Sequence, residues 1–176
     1  MRFKGEVEVD EAYVPVGQKG EKQEKPRRRG GGRRRGRATG RKRLFFTLVE
    51  RRSRRALFVA KDDASSKTVK DLLSKRVERG STVYTDEFRS YERVSRFGYK
   101  HFRVKHSEHV YAVGSVHVNN AESRNWHLRA FLFFKRGISA LFTNFYALAT
   151  SAFVRLYAEN PLTSCHWIVE VMAHAY

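Results

Sequence analysis

The order of apolar runs along this chain constrains its fold more strongly than any other feature. Three β-rich runs come first, at residues 6–14, 44–50 and 56–60, and a tight basic turn at 51–55 joins the second to the third. Helical and extended patterns then alternate, which gives the order βββαβαβα. This order predicts an α/β fold in which helices flank a central mixed five-stranded sheet whose first three strands are antiparallel.

The rest of the chain supplies the predicted helices and the last two strands. The first helix is predicted to begin at a cap formed by Ser65 or Ser66 and to end at Gly80. Its apolar face comprises Val69, Leu72, Leu73 and Val77. The elements that follow are a strand at 81–85, a short helix around 88–97, a strand near 101–105, a loop over 106–118 and a helical stretch over 121–159 that breaks near Gly137.

Residues 17–43 are the most strongly charged part of the chain, with 13 Lys and Arg against two Glu. This stretch is rich in Gly and has no apolar periodicity, so we predict a disordered loop between the first two strands. A solvated spacer is one interpretation, but so much like charge favours contact with nucleic-acid phosphates. The cations expected to bind DNA here are Arg27, Arg28, Arg29, Arg33, Arg34, Arg35, Arg37, Arg41, Lys42 and Arg43.

The whole chain carries a formal net charge of +18, which favours a polyanionic partner such as nucleic acid. Its 176 residues, 41% of them hydrophobic, suit one globular domain, which we expect over 1–160, with 161–176 as a tail. The single cysteine, Cys165, excludes an internal disulfide and a cysteine-based zinc module within the chain. No secretory signal or membrane span is expected, and a reducing cytosol suits this composition.

Three carboxylates stand where strands end or a helix begins. Asp10 lies in the first strand on the face opposite Val7 and Val9, Asp86 follows the fourth strand, and Glu122 opens the last helix. If the first strand is central and the fourth adjoins it, the two aspartates lie side by side, and a divalent cation would relieve their repulsion. Oxygen-only ligands from separate elements predict a Mg²⁺ site, and a pair of such ions can activate an attacking oxygen and stabilise a leaving one.

Each of these acids also has a purely structural interpretation. Asp10 alone fits a strand edge, and Asp86 alone fits a turn. Asn119 and Glu122 have the spacing of a capping box, with Asn119 as the N-cap. The acids that compete with them are Asp62, Asp63, Glu11 and Glu87. The first two of these precede a helix and fit compensation of its dipole.

Five sequence blocks carry a resemblance that covers about residues 5–159 in order. They are VEVDEAYV, GRKRLFFTLVER, GSTVYTDEFRSY, GYKHFRVKHSEHVYAVGSVHVNNAES and FKRGI. Together they resemble the DDE catalytic domain of ISXO2-like insertion-sequence transposases. The resemblance implies an RNase H-like fold and Mg²⁺-dependent cleavage and transfer of DNA strands, with Mn²⁺ as an alternative ion. By position it makes Asp10, Asp86 and Glu122 the catalytic triad, and His117 and Asn119 neighbours that contact DNA or orient Glu122.

The same resemblance implies partners and a location. Double-stranded DNA, as both element ends and target, is the expected partner, and a homodimer is expected because two protomers generally pair two ends. The expected location is the cytoplasm, at the nucleoid. Family members usually carry an N-terminal zinc ribbon, for which the single cysteine of this chain is too few. Recognition of the element ends is therefore expected to be missing, to come from another chain or to rest on the basic loop. Two other hypotheses are an RNase H-like nuclease or resolvase without strand transfer, and a non-catalytic nucleic-acid-binding transposase remnant.

Further candidate residues lie in the last helical stretch. Lys135 and Arg136 follow the apolar run 131–134 and are predicted to contact phosphate, although a solvated helix end fits equally. The apolar run itself predicts core or a dimer surface. Trp126, one turn after Glu122, is predicted to pack behind the site rather than to stack on a base. Four histidines lie near one another in the sequence: His101, His106, His109 and His117. Their spacing matches no common pattern of zinc ligands, so a zinc site is disfavoured.

Overall fold

Five strands form one mixed sheet. They are β1 (Glu6–Pro15), β2 (Lys42–Glu50), β3 (Ala56–Lys61), β4 (Thr82–Thr85) and β5 (Lys100–Arg103), in the spatial order β3-β2-β1-β4-β5. β1, β2 and β3 pair antiparallel, whereas β4 lies parallel to β1 and β5 lies parallel to β4. The predicted five-stranded mixed sheet, with its first three strands antiparallel, is therefore confirmed. This computed structural model describes residues 2–16, 42–104, 117–135 and 138–159.

The described part of the chain has three α-helices that flank the sheet: α1 (Ser66–Arg76), α2 (Asn119–Phe134) and α3 (Thr143–Glu159). Ser65 caps α1, because its hydroxyl accepts a hydrogen bond from the Thr68 N–H at 3.2 Å. The predicted serine cap is therefore confirmed. Within the described parts of the chain, no helix is both long enough and apolar enough to cross a membrane.

Several element boundaries differ from the prediction. α1 ends at Arg76 rather than at Gly80, whose φ of +81° instead serves the turn before β4. The second predicted helix is two 3₁₀ turns, Arg89–Tyr91 and Val94–Phe97. The long helical stretch is divided into α2 and α3 by another 3₁₀ turn, Ala140–Phe142.

The basic loop between β1 and β2 is shorter than predicted, because β2 begins at Lys42. Lys42 pairs with Pro15 and Arg43 pairs with Val14, so the last two residues of the predicted loop belong to the sheet. The remainder of that loop, residues 17–41, lies outside the described residues, as does the predicted tail at 161–176.

Apolar layers bury the sheet on both faces. One layer joins Val7 and Val9 of β1 to Leu73 of α1. The other joins Ala12 and Val14 of β1 to apolar residues of α2 and α3. Because side chains alternate along a strand, the acidic residues at the even positions of β1 point towards α2. This alternation places them in the layer from which the candidate site is built.

Candidate active site

Asp10 and Asp86 lie side by side at one end of the β1–β4 pair. In the parallel register Glu8 pairs with Tyr84, so two residues further along each strand Asp10 comes beside Asp86. These aspartates form a group with Glu11, in which one carboxylate oxygen from each residue lies within 4.8 Å of the others. Among the described residues this is the one group of His, Cys, Asp or Glu with spacing suited to a metal ion. The predicted proximity of the two aspartates is therefore confirmed.

The Asp10 carboxylate is fixed through both of its oxygens. Oδ1 accepts a hydrogen bond from the Glu11 N–H at 2.8 Å, and Oδ2 accepts one from Asn125 Nδ2 at 2.7 Å. Burial raises the pKa of the Asp10 carboxyl from its usual 3.8 to about 7. The charge of Glu11 and, to a lesser extent, those of Asp86 and Glu122 contribute to this rise in the pKa of Asp10, while the hydrogen bond from the Glu11 N–H opposes it. The carboxylate is thus held in place in a setting that disfavours its ionised form unless a cation is present.

Glu11 enters the acidic group from the opposite face of β1. Its Oε2 accepts a hydrogen bond from the buried Tyr91 hydroxyl at 2.8 Å. The pairing of β1 with β4 ends at Glu8. Beyond that residue the edge of β1 that faces β4 is unpaired, so side chains from both faces of β1 can reach it. Glu11 was predicted only as a competing acid, and its presence here is unexpected because neighbouring side chains of a strand point to opposite faces.

Asp86 is oriented by the turn that follows β4. Its Oδ1 accepts a hydrogen bond from the Phe88 N–H at 2.9 Å, and its carbonyl accepts one from Thr85 Oγ1 at 2.8 Å. Such a local side-chain bond is common for Asp in a turn. The turn interpretation and the site interpretation therefore both hold, because the same turn orients the carboxylate beside Asp10.

Glu122 is exposed in the first turn of α2 and lies outside the group of three acids whose oxygens are within 4.8 Å. It is close enough for its charge to raise the pKa of Asp10. The N-cap of α2 is Val118, and Asn119 is already helical. The capping-box interpretation, with Asn119 as the N-cap, is therefore wrong, and the helix start has another source of stabilisation.

That source is Glu8, a fully buried acid of β1 that the sequence analysis did not select. Its Oε2 accepts a hydrogen bond from the Ala121 N–H at 3.0 Å, and its Oε1 accepts bonds from Asn120 Nδ2 and Arg51 Nε, each at 2.8 Å. A carboxylate at a helix N-terminus is favourable because it satisfies unpaired N–H groups and complements the helix dipole. The sequence signal was an acid in a central strand on the same face as Asp10.

Asn125 is a second site residue that the sequence analysis missed. Thr47 Oγ1 donates a hydrogen bond to Asn125 Oδ1 at 2.5 Å, which directs the amide nitrogen of Asn125 towards Asp10. Thr47 is also the residue opposite Asp10 in the β1–β2 register. All three residues lie in or beside the buried layer under α2, and Thr47 and Asn125 are themselves buried. The signal in the sequence was a helical spacing of three residues between Glu122 and Asn125.

His117 and Asn119 occupy different surroundings. His117 Nδ1 lies 3.3 Å from Glu8 Oε1 without the geometry of a hydrogen bond, and its carbonyl accepts a bond from Arg51 Nη2 at 2.6 Å. Asn119 is exposed at the start of α2. His117 therefore borders the site through Glu8 and Arg51.

The predicted DNA-binding cations are only partly described. Lys42 and Arg43 open β2, and Arg43 Nη1 lies 3.6 Å from Asp62 Oδ1 on the surface. Lys135 is the C-cap of α2, and its Nζ lies 5.1 Å from the centre of the Phe131 ring. The cations outside the described residues are Arg27, Arg28, Arg29, Arg33, Arg34, Arg35, Arg37, Arg41 and Arg136.

The prediction for Trp126 in α2 needs correction, and the apolar run near the end of that helix contains both buried and exposed residues. Trp126 is 66% exposed, so the prediction that it packs behind the site is wrong. The apolar run 131–134 is divided, since Leu132 is buried in the core whereas Phe133 and Phe134 are exposed. Helical geometry points neighbouring residues of such a run in different directions, so only part of it reaches the sheet.

Residues 2–148 match the family model for the ISXO2-like transposase domain. A relative from Halobacterium salinarum, described as an uncharacterized protein in transposable element ISH50, is 34% identical over 140 residues. That alignment covers 78% of this chain and 48% of the relative, so the chain spans about half the relative's length. Among solved structures, this chain aligns with a chain of the simian T-cell lymphotropic virus intasome in complex with the PP2A regulatory subunit B56 gamma. The TM-score of that alignment is 0.48 and the sequence identity is 12%, and it covers 76% of this chain and 41% of the other. The family match covers most of the sequence, and the chain therefore belongs to the ISXO2-like transposase domain family.

Proposed function

We propose that this chain is the catalytic domain of a transposase that cuts DNA strands and joins them to new DNA, with Asp10, Asp86 and Glu122 as its catalytic carboxylates. One observation carries the proposal. Asp10 and Asp86 come from adjacent parallel strands and bring their oxygens, with that of Glu11, within 4.8 Å of one another. In a chain of this transposase family, that acidic group is the natural place for phosphodiester chemistry.

The donor atoms of this group fit a divalent metal ion. They are all carboxylate oxygens, which Mg²⁺ and Mn²⁺ prefer over softer ligands. Burial and neighbouring acids raise the pKa of Asp10 to about 7, so a bound cation would favour the ionised carboxylate. Asp10, Asp86 and Glu122 would hold the metal, with Glu11 as a further ligand on geometric grounds. When bound, two such ions would activate the attacking oxygen and stabilise the leaving oxygen at the scissile phosphate.

The protein contributes orientation to this chemistry. The Glu11 N–H and the Asn125 amide hold the Asp10 carboxylate, and the Phe88 N–H holds that of Asp86. In the first reaction a water oxygen attacks phosphorus, the bond to the 3′-oxygen breaks, and that oxygen takes a proton. In the second reaction the freed 3′-hydroxyl gives up its proton and attacks a phosphorus atom of the target, the bond from that phosphorus to the target's 3′-oxygen breaks, and the displaced oxygen takes up a proton. Because both reactions replace one oxygen on phosphorus by another, a single site can serve both.

DNA would be held chiefly by charge. The chain has a net charge of +18, and the stretch between β1 and β2 contains the densest run of arginines. Phosphate contacts fix the position of a duplex without reading its sequence. Two protomers would pair the two element ends and the target, so the proposed active form is a homodimer. Its proposed location is the nucleoid.

A strand-transfer assay tests joining separately from cutting. A labelled duplex with a pre-cut 3′-hydroxyl end would be incubated with plasmid DNA and Mg²⁺ or Mn²⁺. We expect labelled plasmid products with the wild-type protein and none with Asp10→Asn, while DNA binding is retained. Asp71→Asn is the matched control, because Asp71 is a surface acid of α1 paired with Lys75. Plasmid nicking without labelled product would indicate a nuclease, and products from Asp10→Asn would contradict the assignment.

A further inference from the structure

Arg51 joins three elements that carry the candidate catalytic acids. From the end of β2, its Nε donates a hydrogen bond to Glu8 of β1 at 2.8 Å, and its Nη2 donates one to the His117 carbonyl, just before α2, at 2.6 Å. Its guanidinium also lies 3.6 Å from the centre of the Tyr84 ring in β4. The side chain of Arg51 is 11% exposed and that of Glu8 is fully buried. The planar fork of Arg suits such simultaneous bonding and stacking.

Glu8 extends this connection into α2 itself. Its carboxylate accepts hydrogen bonds from the Ala121 N–H at 3.0 Å and from Asn120 Nδ2 at 2.8 Å. Val118, at the N-cap, supplies no side-chain bond to the helix start. The first turn of α2 is therefore bonded to the centre of β1 by a carboxylate 113 residues earlier in the chain.

In each of the three elements, the pair or one of its contacts lies one or two residues before a candidate catalytic acid. Glu8 is two residues before Asp10, and Tyr84 is two residues before Asp86, so each pair shares a face of its strand. The Ala121 N–H belongs to the residue immediately before Glu122. A displacement of the Glu8–Arg51 pair would therefore shift the backbone next to each of the three carboxylates.

We infer that Glu8 and Arg51 are positioning residues that set the spacing of Asp10, Asp86 and Glu122, and thereby the affinity of the site for a divalent cation. This inference rests on the proposed function, because it takes those acids to be the metal ligands. A buried ion pair is weak evidence for added stability, since desolvation opposes its Coulomb attraction. The contacts of the Glu8–Arg51 pair with β1, β4 and α2 favour a role in positioning these elements over a general contribution to stability.

The experiment uses a variant that leaves no unpaired buried charge, Glu8→Met combined with Arg51→Met. Replacing both members of a buried ion pair with apolar residues of similar volume is often tolerated, whereas removing one member is not. Arg51→Lys is the second variant, because it keeps the charge next to Glu8 and loses the planar fork. The matched control is Glu50→Met with Arg55→Met, which removes an ion pair of 2.9 Å from the neighbouring β2–β3 connection.

Binding of Mn²⁺ would be measured by calorimetry, with thermal unfolding of the metal-free proteins and amide hydrogen exchange at the start of α2. We expect Mn²⁺ affinity to fall by about tenfold or more in the double variant and in Arg51→Lys, as for other residues that orient metal ligands. Exchange at Ala121 and Glu122 should become faster in the Glu8–Arg51 double variant, and the control pair should change neither quantity. If the double variant does not fold, the result for Arg51→Lys decides.

Unchanged Mn²⁺ affinity in a folded Glu8–Arg51 variant would overturn the inference while leaving the proposed function in place. An equal fall in affinity in the control variant would also overturn it, because it would show a general effect of stability. A wild-type protein that binds no Mn²⁺ would instead contradict the proposed metal site, and the positioning role with it.

Discussion

Asn125 Nδ2 donates a hydrogen bond to Asp10 Oδ2 at 2.7 Å, and through it the middle of α2 is bonded to the central strand of the sheet. Thr47 fixes the orientation of the Asn125 amide from the other side. The candidate catalytic acid of β1 is thus held from two neighbouring elements, β2 and α2. This arrangement resembles the support that ligating carboxylates receive from hydrogen-bonded neighbours in metal sites.

Asn125→Ala should reduce both stability and activity. The substitution leaves Thr47 Oγ1 buried without its acceptor, which costs about 1–3 kcal/mol of unfolding free energy. It also removes one of the two bonds that orient Asp10, so we expect metal-dependent nicking to fall by about tenfold or more. Urea unfolding and plasmid nicking measure the two effects. Asn144→Ala, at an exposed position of α3, is the control, and equal behaviour of the two variants would contradict this role.

Asp10 should make the metal-free protein less stable as the pH rises. Burial raises its folded-state pKa from 3.8 to about 7, so between these values the folded state binds a proton that the unfolded state has released. Stability from this group is therefore present below about pH 4 and is lost as pH rises to about 7, at a cost of up to roughly 4 kcal/mol. Urea unfolding with a chelator at pH 5 and pH 8 measures the change.

Asp10→Asn removes that titrating group and should be more stable than the wild-type protein at pH 8 without metal. Added Mg²⁺ or Mn²⁺ should stabilise the wild-type protein at pH 8 and have little effect on the variant. Parallel stability curves for the two proteins between pH 5 and pH 8 would show that the carboxylate ionises without hindrance, contrary to its buried and crowded setting.

Glu11 and Glu122 should differ in the effects of neutralisation. Glu11 is held by the Tyr91 hydroxyl within the acidic group, and Glu122 is exposed at the start of α2. We expect Glu122→Gln to abolish nicking with unchanged DNA binding, and Glu11→Gln to weaken Mn²⁺ binding by about tenfold with residual nicking. Nicking assays over a Mn²⁺ titration separate the two. The reverse pattern would make Glu11, rather than Glu122, the third catalytic carboxylate.

Removing the basic stretch between β1 and β2 should flatten the salt dependence of DNA affinity. Pro15 pairs with Lys42 at the open end of these strands, so a short turn in place of 17–41 can join them without altering the sheet. The slope of log affinity against log salt should decrease by about 0.9 for each phosphate that the shortened protein no longer neutralises. Binding titrations at several salt concentrations measure it, with a Gly/Ser segment of the original length as the control. An unchanged slope would exclude this stretch as a phosphate-binding segment.

The sheet and the aspartate pair could be predicted from the sequence because they depend on local periodicity and strand order. Alternation in β1 indicated the face of Asp10, and the strand order indicated its neighbour Asp86. The roles of Glu8 and Asn125 could not be predicted in the same way. Both depend on how α2 packs on β1, across more than 100 residues of chain.

The start of α2 shows why a local rule can fail. The spacing of Asn119 and Glu122 fits a capping box, but the structure satisfies the helix start with the distant carboxylate of Glu8. Local spacing contains no information about such a partner. The prediction for Trp126 failed for a related reason, since the face of α2 that packs on the sheet is set by Asn125 and Leu128.

The most direct test of the proposed chemistry is plasmid nicking by Asp86→Asn, with DNA binding measured in the same buffer. Asp86 is the acid that β4 brings beside Asp10, and Asn keeps its size and its ability to accept the Phe88 N–H. We expect the wild-type protein to nick DNA only with Mg²⁺ or Mn²⁺, and Asp86→Asn to bind DNA at least as well and leave it intact. Nicking by Asp86→Asn at the wild-type rate would contradict a catalytic site at these carboxylates.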